Sequence, residues 1–597
     1  MRVPYSFFRK GQRESIEALR SNLGKYLALR APTGYGKTLV ALMAHAGSGR
    51  VLYAVRTRNE IAPVVREARR VGASFTVVFS GRRMCPLVRG AEVPAEDFWL
   101  NCRLLRVKGM CPYYHNLRSV SYRELAELLS ASTENDPHRL ASLVVQETSA
   151  CPFFALAGLS GHVNFTVATY PYLFNENVYT IAFQEVGLDE FYVVVDEAHT
   201  LVSPQSVLSD ALDLGSLRAC ARELSQEGYS KLSAELRPIE EVMLKARSRR
   251  LTRVSKEELG INRELLDELE EALSEMRLSA LSALEELGAE VFIKTASSVS
   301  KVVRFLDLAV REYFSLYTQL LLDEPRLHAL PLGYEPVKVR LAVAKGVLMM
   351  SGTLPPKELL DRIVGRETVY IDVEKEYGNV FPRENVFYAV YTPLTTSYTY
   401  RSTRMFMDYA KLVSAVFESV GRAVLAVYPS YEVMEEVVTY LSRSEGVYIE
   451  NEQTRIGDVE RFLRERPHTL VNAVAGGKIV EGVEFRDESG VSLIEAVVVC
   501  GVPYPYPDDY FEDFKSAIRK EVGEYADDIA TDVQAAIRVA QACGRAIRSE
   551  ADRAYIVLAD RRYLKKSLRT VLGVKYDAVF TETGSLLASL KKFFGTY

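Results

Sequence analysis

The segment Ala31-Pro-Thr-Gly-Tyr-Gly-Lys-Thr38 constrains this chain more than any other. It follows Lys25-Tyr-Leu-Ala-Leu-Arg30, which reads as a short buried strand, and precedes the apolar stretch Leu39 to Ala46, which reads as a helix. Strand, glycine loop ending in Lys-Thr, and helix together form a phosphate-binding unit, and such a unit belongs to a parallel α/β sheet. Gly34 and Gly36 let backbone N–H groups turn toward phosphate oxygens, Lys37 would reach the β and γ phosphates, and the Thr38 hydroxyl would bind Mg²⁺. Thr33 and Tyr35 complete the loop expected to cradle ATP, and Ala31 stands where the strict pattern has glycine.

A second segment supplies carboxylates. Phe191-Tyr-Val-Val-Val-Asp-Glu-Ala-His199 is a β-rich run ending in two acids, as suits a buried parallel strand that delivers them at its C-terminal edge. Asp196 would hold Mg²⁺ and Glu197 would orient and deprotonate an attacking water. An acidic turn closing an ordinary strand is the plain alternative, and the P-loop upstream argues against it.

Two later segments fit the same site. Val347-Leu-Met-Met-Ser-Gly-Thr-Leu354 is another apolar strand ending in small polar residues. Gln541-Ala-Cys-Gly-Arg-Ala-Ile-Arg548 sets Gln541, Arg545 and Arg548 on one helical face by steps of four and three. Two arginines so placed are arginine-finger candidates for a γ-phosphate, and a basic surface stripe is the other reading of the same spacing.

In order along the chain, A-P-T-G-Y-G-K-T, D-E-A-H, S-G-T-L and Q-A-C-G-R-A-I-R resemble the motifs of superfamily 2 helicases, specifically the DEAH-type XPD family in its compact archaeal form. Arg56-Thr-Arg58 is similar to the family's motif Ia and Gly477-Lys-Ile-Val-Glu-Gly-Val-Glu-Phe485 to its motif V, with Val480 and Glu484 departing from the usual residues. In the family these segments line the single-strand groove and couple it to ATP. Phe8-Arg-Lys-Gly-Gln12 resembles the upstream segment whose glutamine reads adenine, which makes Gln12 the adenine candidate and a surface turn its alternative.

The chain runs from Lys37 to Asp196, and again from Asp196 to Ser351, over intervals longer than a few α/β units need. Each interval is expected to carry an inserted domain. The first holds Cys85, Cys102, Cys111 and Cys151, a complete tetrahedral ligand set without any C-x-x-C pair, whereas Cys220, Cys500 and Cys543 lie far away. Three of the four precede proline, as ligands of ferredoxin-like clusters do. A 4Fe-4S cluster, a zinc ion and unliganded thiols all remain readings of the spacing. The resemblance implies the cluster, acting chiefly as a crosslink for a loop-rich insertion with too small a core of its own. Arg82, Arg83, Arg89, Arg103, Arg106 and Lys108 lie among Phe98, Trp99, Tyr113 and Tyr114 there, which suits single-stranded nucleic acid or a solvated face over buried rings.

In the second interval Leu266, Leu269, Leu273, Met276, Ala280, Leu284 and Leu287 recur at helical spacing up to Gly288, and a further helical pattern covers 297–322. This segment resembles the family's arch. Beyond residue 366 strands and helices alternate again, with strands expected near 422–428, 469–475, 495–502 and 553–558. The expected fold is therefore α/β, with two RecA-like parallel-sheet motors and, inserted in the first, an iron-sulfur domain and a helical arch. The expected boundaries are 1–80, 155–204 and 339–365 for the first motor, 81–154 for the cluster domain, 205–338 for the arch and 366–597 for the second motor.

The 597 residues, 48% hydrophobic and 25% charged, can bury several cores. A formal net charge of -4 confines any nucleic-acid site to a local groove. No signal-peptide core or membrane-length apolar run is visible in the sequence, so a cytoplasmic monomer without membrane contact is expected. The resemblance implies an ATP-dependent, Mg²⁺-requiring DNA helicase of 5′-to-3′ polarity acting on single strands and forked duplexes in nucleotide excision repair. A DinG-like remodeller of R-loops or protein-bound DNA, and a redox-responsive nucleic-acid-binding protein with weak ATPase, are the rival readings.

Overall fold

The structure, a computed structural model, describes residues 8–88, 95–184, 186–282, 297–321, 323–441, 446–482, 485–487 and 490–595. Arg89, Leu284, Leu287, Gly288, Leu322 and Glu484 lie outside them. The chain lays down β1 (Tyr26–Arg30), β2 (Val51–Val55), β3 (Phe75–Val78), β4 (Phe165–Thr169) and β5 (Tyr192–Asp196) before leaving the first sheet. It then forms β6 (Asp210–Asp213), β7 (Thr252–Val254), β8 (Phe314–Leu321) and β9 (Glu324–Pro331), and returns with β10 (Gly346–Ser351) and β11 (Thr368–Asp372).

Among the described residues the first sheet has the parallel order β11-β1-β10-β5-β2-β4-β3. Its central strands are near-continuous apolar runs, with every residue of β2 and β10 buried, because helices cover both faces. The β1, β5 and β10 ends converge at one edge, so the P-loop, Asp196 and Ser351 meet although far apart in sequence.

One boundary is corrected here. β11 lies beyond residue 365, yet it pairs with β1 from Tyr26↔Thr368 to Arg30↔Asp372, so the first motor continues past the expected join. An edge strand adding to β1 satisfies backbone groups that would otherwise face solvent.

The first insertion is mostly helical rather than loop-rich, with helices Ala95–Val107, Tyr122–Ala131 and Pro137–Thr148. Around the cysteines its own core is small, built on Val88, Phe98 and Leu105. The second insertion is corrected from helical to mixed. Helices Leu214–Gln226 and Val299–Ala309 pack on an antiparallel sheet of order β6-β9-β8-β7, and helix Arg263–Ser282 packs on Val299–Ala309. The apolar pattern of 297–322 is a helix only as far as Ala309. After Tyr313 it becomes β8, which pairs with β9 from Phe314↔Pro331 to Leu321↔Glu324. A short apolar run does not reveal its period, and cross-strand pairing decides.

Buried polar groups join the two insertions. Arg277, 1% exposed, donates to Asn101 Oδ1 at 2.7 Å, to Ser300 Oγ at 2.8 Å and to Asp97 Oδ1. Burial pulls the Arg277 guanidinium down to about 10. Helix Ala95–Val107 thus offers Asp97 and Asn101 to the arch while carrying Cys102.

The second sheet follows β12 (Val386–Tyr391), β13 (Ala423–Tyr428), β14 (Val447–Ile449), β15 (Leu470–Val474), β16 (Ile494–Cys500), β17 (Ala554–Ala559) and β18 (Ala578–Phe580). Its order is β14-β15-β13-β16-β17-β12-β18, again parallel throughout among the described residues. Helix Asp509–Val522 leaves this motor and buries Tyr510, Phe514, Ile518 and Val522 in the first motor's core. Arg253 of the arch donates to Asp509 Oδ2 and Asp513 Oδ1 on that helix, at 2.9 and 3.1 Å. Among the described residues no single helix is long and apolar enough to cross a membrane.

Candidate nucleotide site and cysteine pocket

The P-loop connects β1 to helix Lys37–Ala44, with Gly34 and Gly36 both at positive φ, 86° and 92°. At Gly34 a side chain is excluded twice, by this conformation and because a Cβ would run into the Arg548 carbonyl oxygen. The second motor's backbone therefore closes directly on the loop. Lys37 Nζ donates to the carbonyls of Ala31 and Pro32 at 3.1 and 3.3 Å, bonds that a phosphate oxygen would replace.

Gln12 is buried under the loop, not at the surface. Its Oε1 accepts from Arg9 N at 2.7 Å and its Nε2 donates to the Tyr35 carbonyl at 2.5 Å. The amide braces the P-loop, and the Tyr35 ring is wholly buried beside Ser15, whose hydroxyl lies 3.3 Å from the Tyr35 oxygen. Thr33 and Gly544 line a cleft between the motors together with Gly352, Thr353 and Phe381.

Asp196 and Glu197 share the end of β5, Glu197 at a φ of 50° that turns it off the strand. Asp196 Oδ2 accepts from the Tyr53 hydroxyl and Oδ1 from the Glu197 N–H, both at 3.0 Å. Burial and the adjacent Glu197 charge hold Asp196 above the usual carboxylate range. For Glu197 burial works in the same direction, but the His199 hydrogen bond, with the Lys37 and Arg545 charges, outweighs it and holds Glu197 low. One acid is thus biased toward its neutral form and its neighbour toward the ionised carboxylate, before any cation enters.

His199 joins three motifs. Its Nδ1 lies 2.7 Å from Ser351 Oγ and 3.2 Å from Glu197 Oε2, and Ser351 Oγ donates to Glu197 Oε2 at 3.3 Å. Across the cleft, Gln541 Nε2 donates to His199 Nε2 at 2.7 Å. With the amide so oriented the ring carries its proton on Nδ1, toward Ser351.

The arrangement of the arginines differs from the expected helical face. Helix Gln534–Cys543 ends at Gly544, so Gln541 is helical whereas Arg545 and Arg548 follow in the turn. Arg545 donates to the Glu481 carbonyl at 2.7 Å, and its charge acts on Glu197. Arg548 N–H donates to Asp552 Oδ2 at 2.8 Å while its carbonyl faces Gly34. Arg56 completes the junction with an ion pair to Glu481 at 3.0 Å. Val480, the described departure in this segment, is fully buried in the second motor's core, where its extra bulk finds packing. The sequence reading missed Tyr53 and Glu450. Tyr53 looks like core in an apolar strand, and Glu450 is a buried carboxylate accepting from Val474 N and Ile479 N at 2.8 and 3.1 Å.

Cys85, Cys102, Cys111 and Cys151 line one pocket, walled by Trp99, Phe153 and Phe154. Cys220, Cys500 and Cys543 are buried elsewhere. Burial pushes the Cys85 thiol up to about 12 and Cys102 to about 11, and neighbouring thiols of the set push in the same direction. Among the described residues no three His, Cys, Asp or Glu side chains converge as a single metal ion would require. Arg106 stacks on Phe154 and Tyr114, 4.4 and 5.0 Å from the ring centroids, and Phe98 is buried, so part of the basic and aromatic set serves packing.

Comparison with known proteins agrees with this geometry. The family described as Helicase C-terminal domain matches residues 413–573, and the family DEAD_2 matches residues 53–212. The chain is 28% identical to ATP-dependent DNA helicase XPD of Sulfolobus acidocaldarius, over 93% of this chain and 96% of that protein. It is 22% identical to the general transcription and DNA repair factor IIH helicase subunit XPD of Schizosaccharomyces pombe, over 96% of this chain and 89% of that one. A solved structure titled XPD_Helicase superposes with a TM-score of 0.72 at 23% identity, covering 95% of this chain and 98% of the other.

Proposed function

We infer that this chain, homologous to the XPD helicases along nearly its whole length, is an ATP-driven DNA helicase. The observation that carries the reading is the meeting of Gln541 with His199 across the cleft, which joins the second motor to the acids of the first.

ATP brings the phosphoanhydride to be cleaved, and Mg²⁺ neutralises charge on its phosphates. Lys37 would bind the β and γ phosphates. Thr38 and Asp196 would hold the cation, which usually keeps several waters and takes only one or two protein ligands, as this pair offers. Glu197, held as a carboxylate, would take a proton from the attacking water, and Arg545 would meet the charge that develops. Gln12 would read adenine from beneath the loop, and Arg548 would join the phosphate site as the motors close.

The four cysteines would hold a 4Fe-4S cluster from the walls of the one pocket they share. The cluster would crosslink residues 81–154, and the arch, residues 205–338, would close with it around one strand. The protein would act in the cytoplasm as a monomer on forked DNA, moving 5′ to 3′, in nucleotide excision repair. A base-pair step costs about 1.4 kcal/mol, which one ATP per nucleotide covers.

A fork carrying either a 5′ or a 3′ single-stranded tail, with Lys37→Ala as control and iron measured on the same sample, tests the reading. Unwinding of the 5′-tailed fork alone, lost in K37A, is expected. ATP-driven unwinding that survives K37A overturns the motor assignment, and an active iron-free protein overturns the cluster.

A further inference from the structure

Tyr53 is completely buried in the middle of β2, where its register partner on β5 is Val194. Burying a phenol is unfavourable unless its hydroxyl finds partners. This hydroxyl donates to Asp196 Oδ2 at 3.0 Å, and the Thr38 side chain lies near enough to act on it as a second polar neighbour.

Proton counting gives the two contacts a direction. A phenol has one proton to give. With that proton directed at Asp196, the phenol oxygen can only accept from Thr38, whose hydroxyl proton is drawn toward it. Thr38 is then left with lone pairs only toward the nucleotide site, as a metal ligand needs. On its other side Asp196 is fixed by the Glu197 N–H at Oδ1, so the carboxylate is held from both oxygens. Ring packing explains an aromatic residue at this position, but Phe would pack as well and would leave Thr38 and Asp196 unoriented.

We propose that Tyr53 is a positioning residue for the divalent cation, ordering Thr38 and Asp196 as a pair before the cation arrives. The proposal rests on the reading of Thr38 and Asp196 as the metal-holding groups. Partners of this kind typically change metal affinity 10–100-fold when removed.

Tyr53→Phe, which keeps the ring and deletes the hydroxyl, is the test. Binding of a fluorescent ADP analogue is measured in EDTA and then across a Mg²⁺ titration, alongside the melting temperature. The expected result is a Mg²⁺ midpoint at least tenfold higher, with metal-free affinity and melting temperature unchanged. An unchanged midpoint overturns the proposal, and so does an equal loss of metal-free affinity and thermal stability, which would make the phenol merely structural. Asp196→Asn separates the two levels. If D196N shifts the midpoint and Y53F does not, only the role of Tyr53 fails; if D196N leaves it unmoved, the metal reading itself fails.

Discussion

Gln541 and His199, from different motors, meet at 2.7 Å, and the same imidazole reaches Ser351 Oγ at 2.7 Å with its other nitrogen. A single ring therefore reports the position of the second motor to Ser351 and Glu197. Removing the amide leaves a half-buried nitrogen without its donor, a loss of about 1–3 kcal/mol, where 1.36 kcal/mol is tenfold in rate. Gln541→Ala should lower DNA-stimulated ATP turnover by about 5- to 150-fold while single-strand affinity stays within about twofold. Steady-state ATPase and fluorescence anisotropy on one preparation check this, and unaltered turnover would remove His199 from the coupling path.

Cys102 shares helix Ala95–Val107 with Asp97 and Asn101, the residues that hold Arg277. Cys102→Ser should remove iron and visible absorbance, and it should suppress unwinding far more than ATP hydrolysis, since the nucleotide site lies outside the insertion. Iron quantification with parallel unwinding and ATPase assays decides it. Equal loss of both activities would place the cysteine pocket in the path of the motor itself.

The Arg277–Asp97 pair is nearly sealed from water, with side-chain exposures of 1% and 3%. Deleting one member strands a buried charge, which typically costs about 3–5 kcal/mol, whereas replacing both with apolar groups is often neutral. Arg277→Met should therefore speed amide exchange in helices Ala95–Val107 and Arg263–Ser282, and adding Asp97→Leu should restore protection. Failure of the double variant to recover would mean that the network's other members, Asn101 and Ser300, carry the contact.

The nucleotide site was legible because phosphate chemistry is strict about local backbone: glycines at fixed steps, then Lys37 and Thr38, then acids at a strand end. The arch was less so. Phe314 to Leu321 offers an apolar run whose helical or extended period depends on a partner, β9, that the run itself does not announce. Arg277 carries no signal in the leucine spacing of its helix, since a buried arginine is betrayed only by Asp97 arriving from another domain. The turn at Gly544 likewise overrode the even spacing of Gln541, Arg545 and Arg548. β11 escaped notice because its place is set by the free edge of β1.

Helix Asp509–Val522 is encoded with one motor and buried in the other. A C-terminal fragment cut between β11 and β12 would carry Tyr510, Phe514, Ile518 and Val522 into water as an uncovered apolar stripe, and the remaining piece would have a trench in its core. Dissecting the protein for binding or crystallisation thus requires either the intact chain or a second-motor piece whose helix is recoated with polar residues. The same interlock means that the two motors are not interchangeable parts: transplanting the second into a relative transfers a piece of the first one's interior with it.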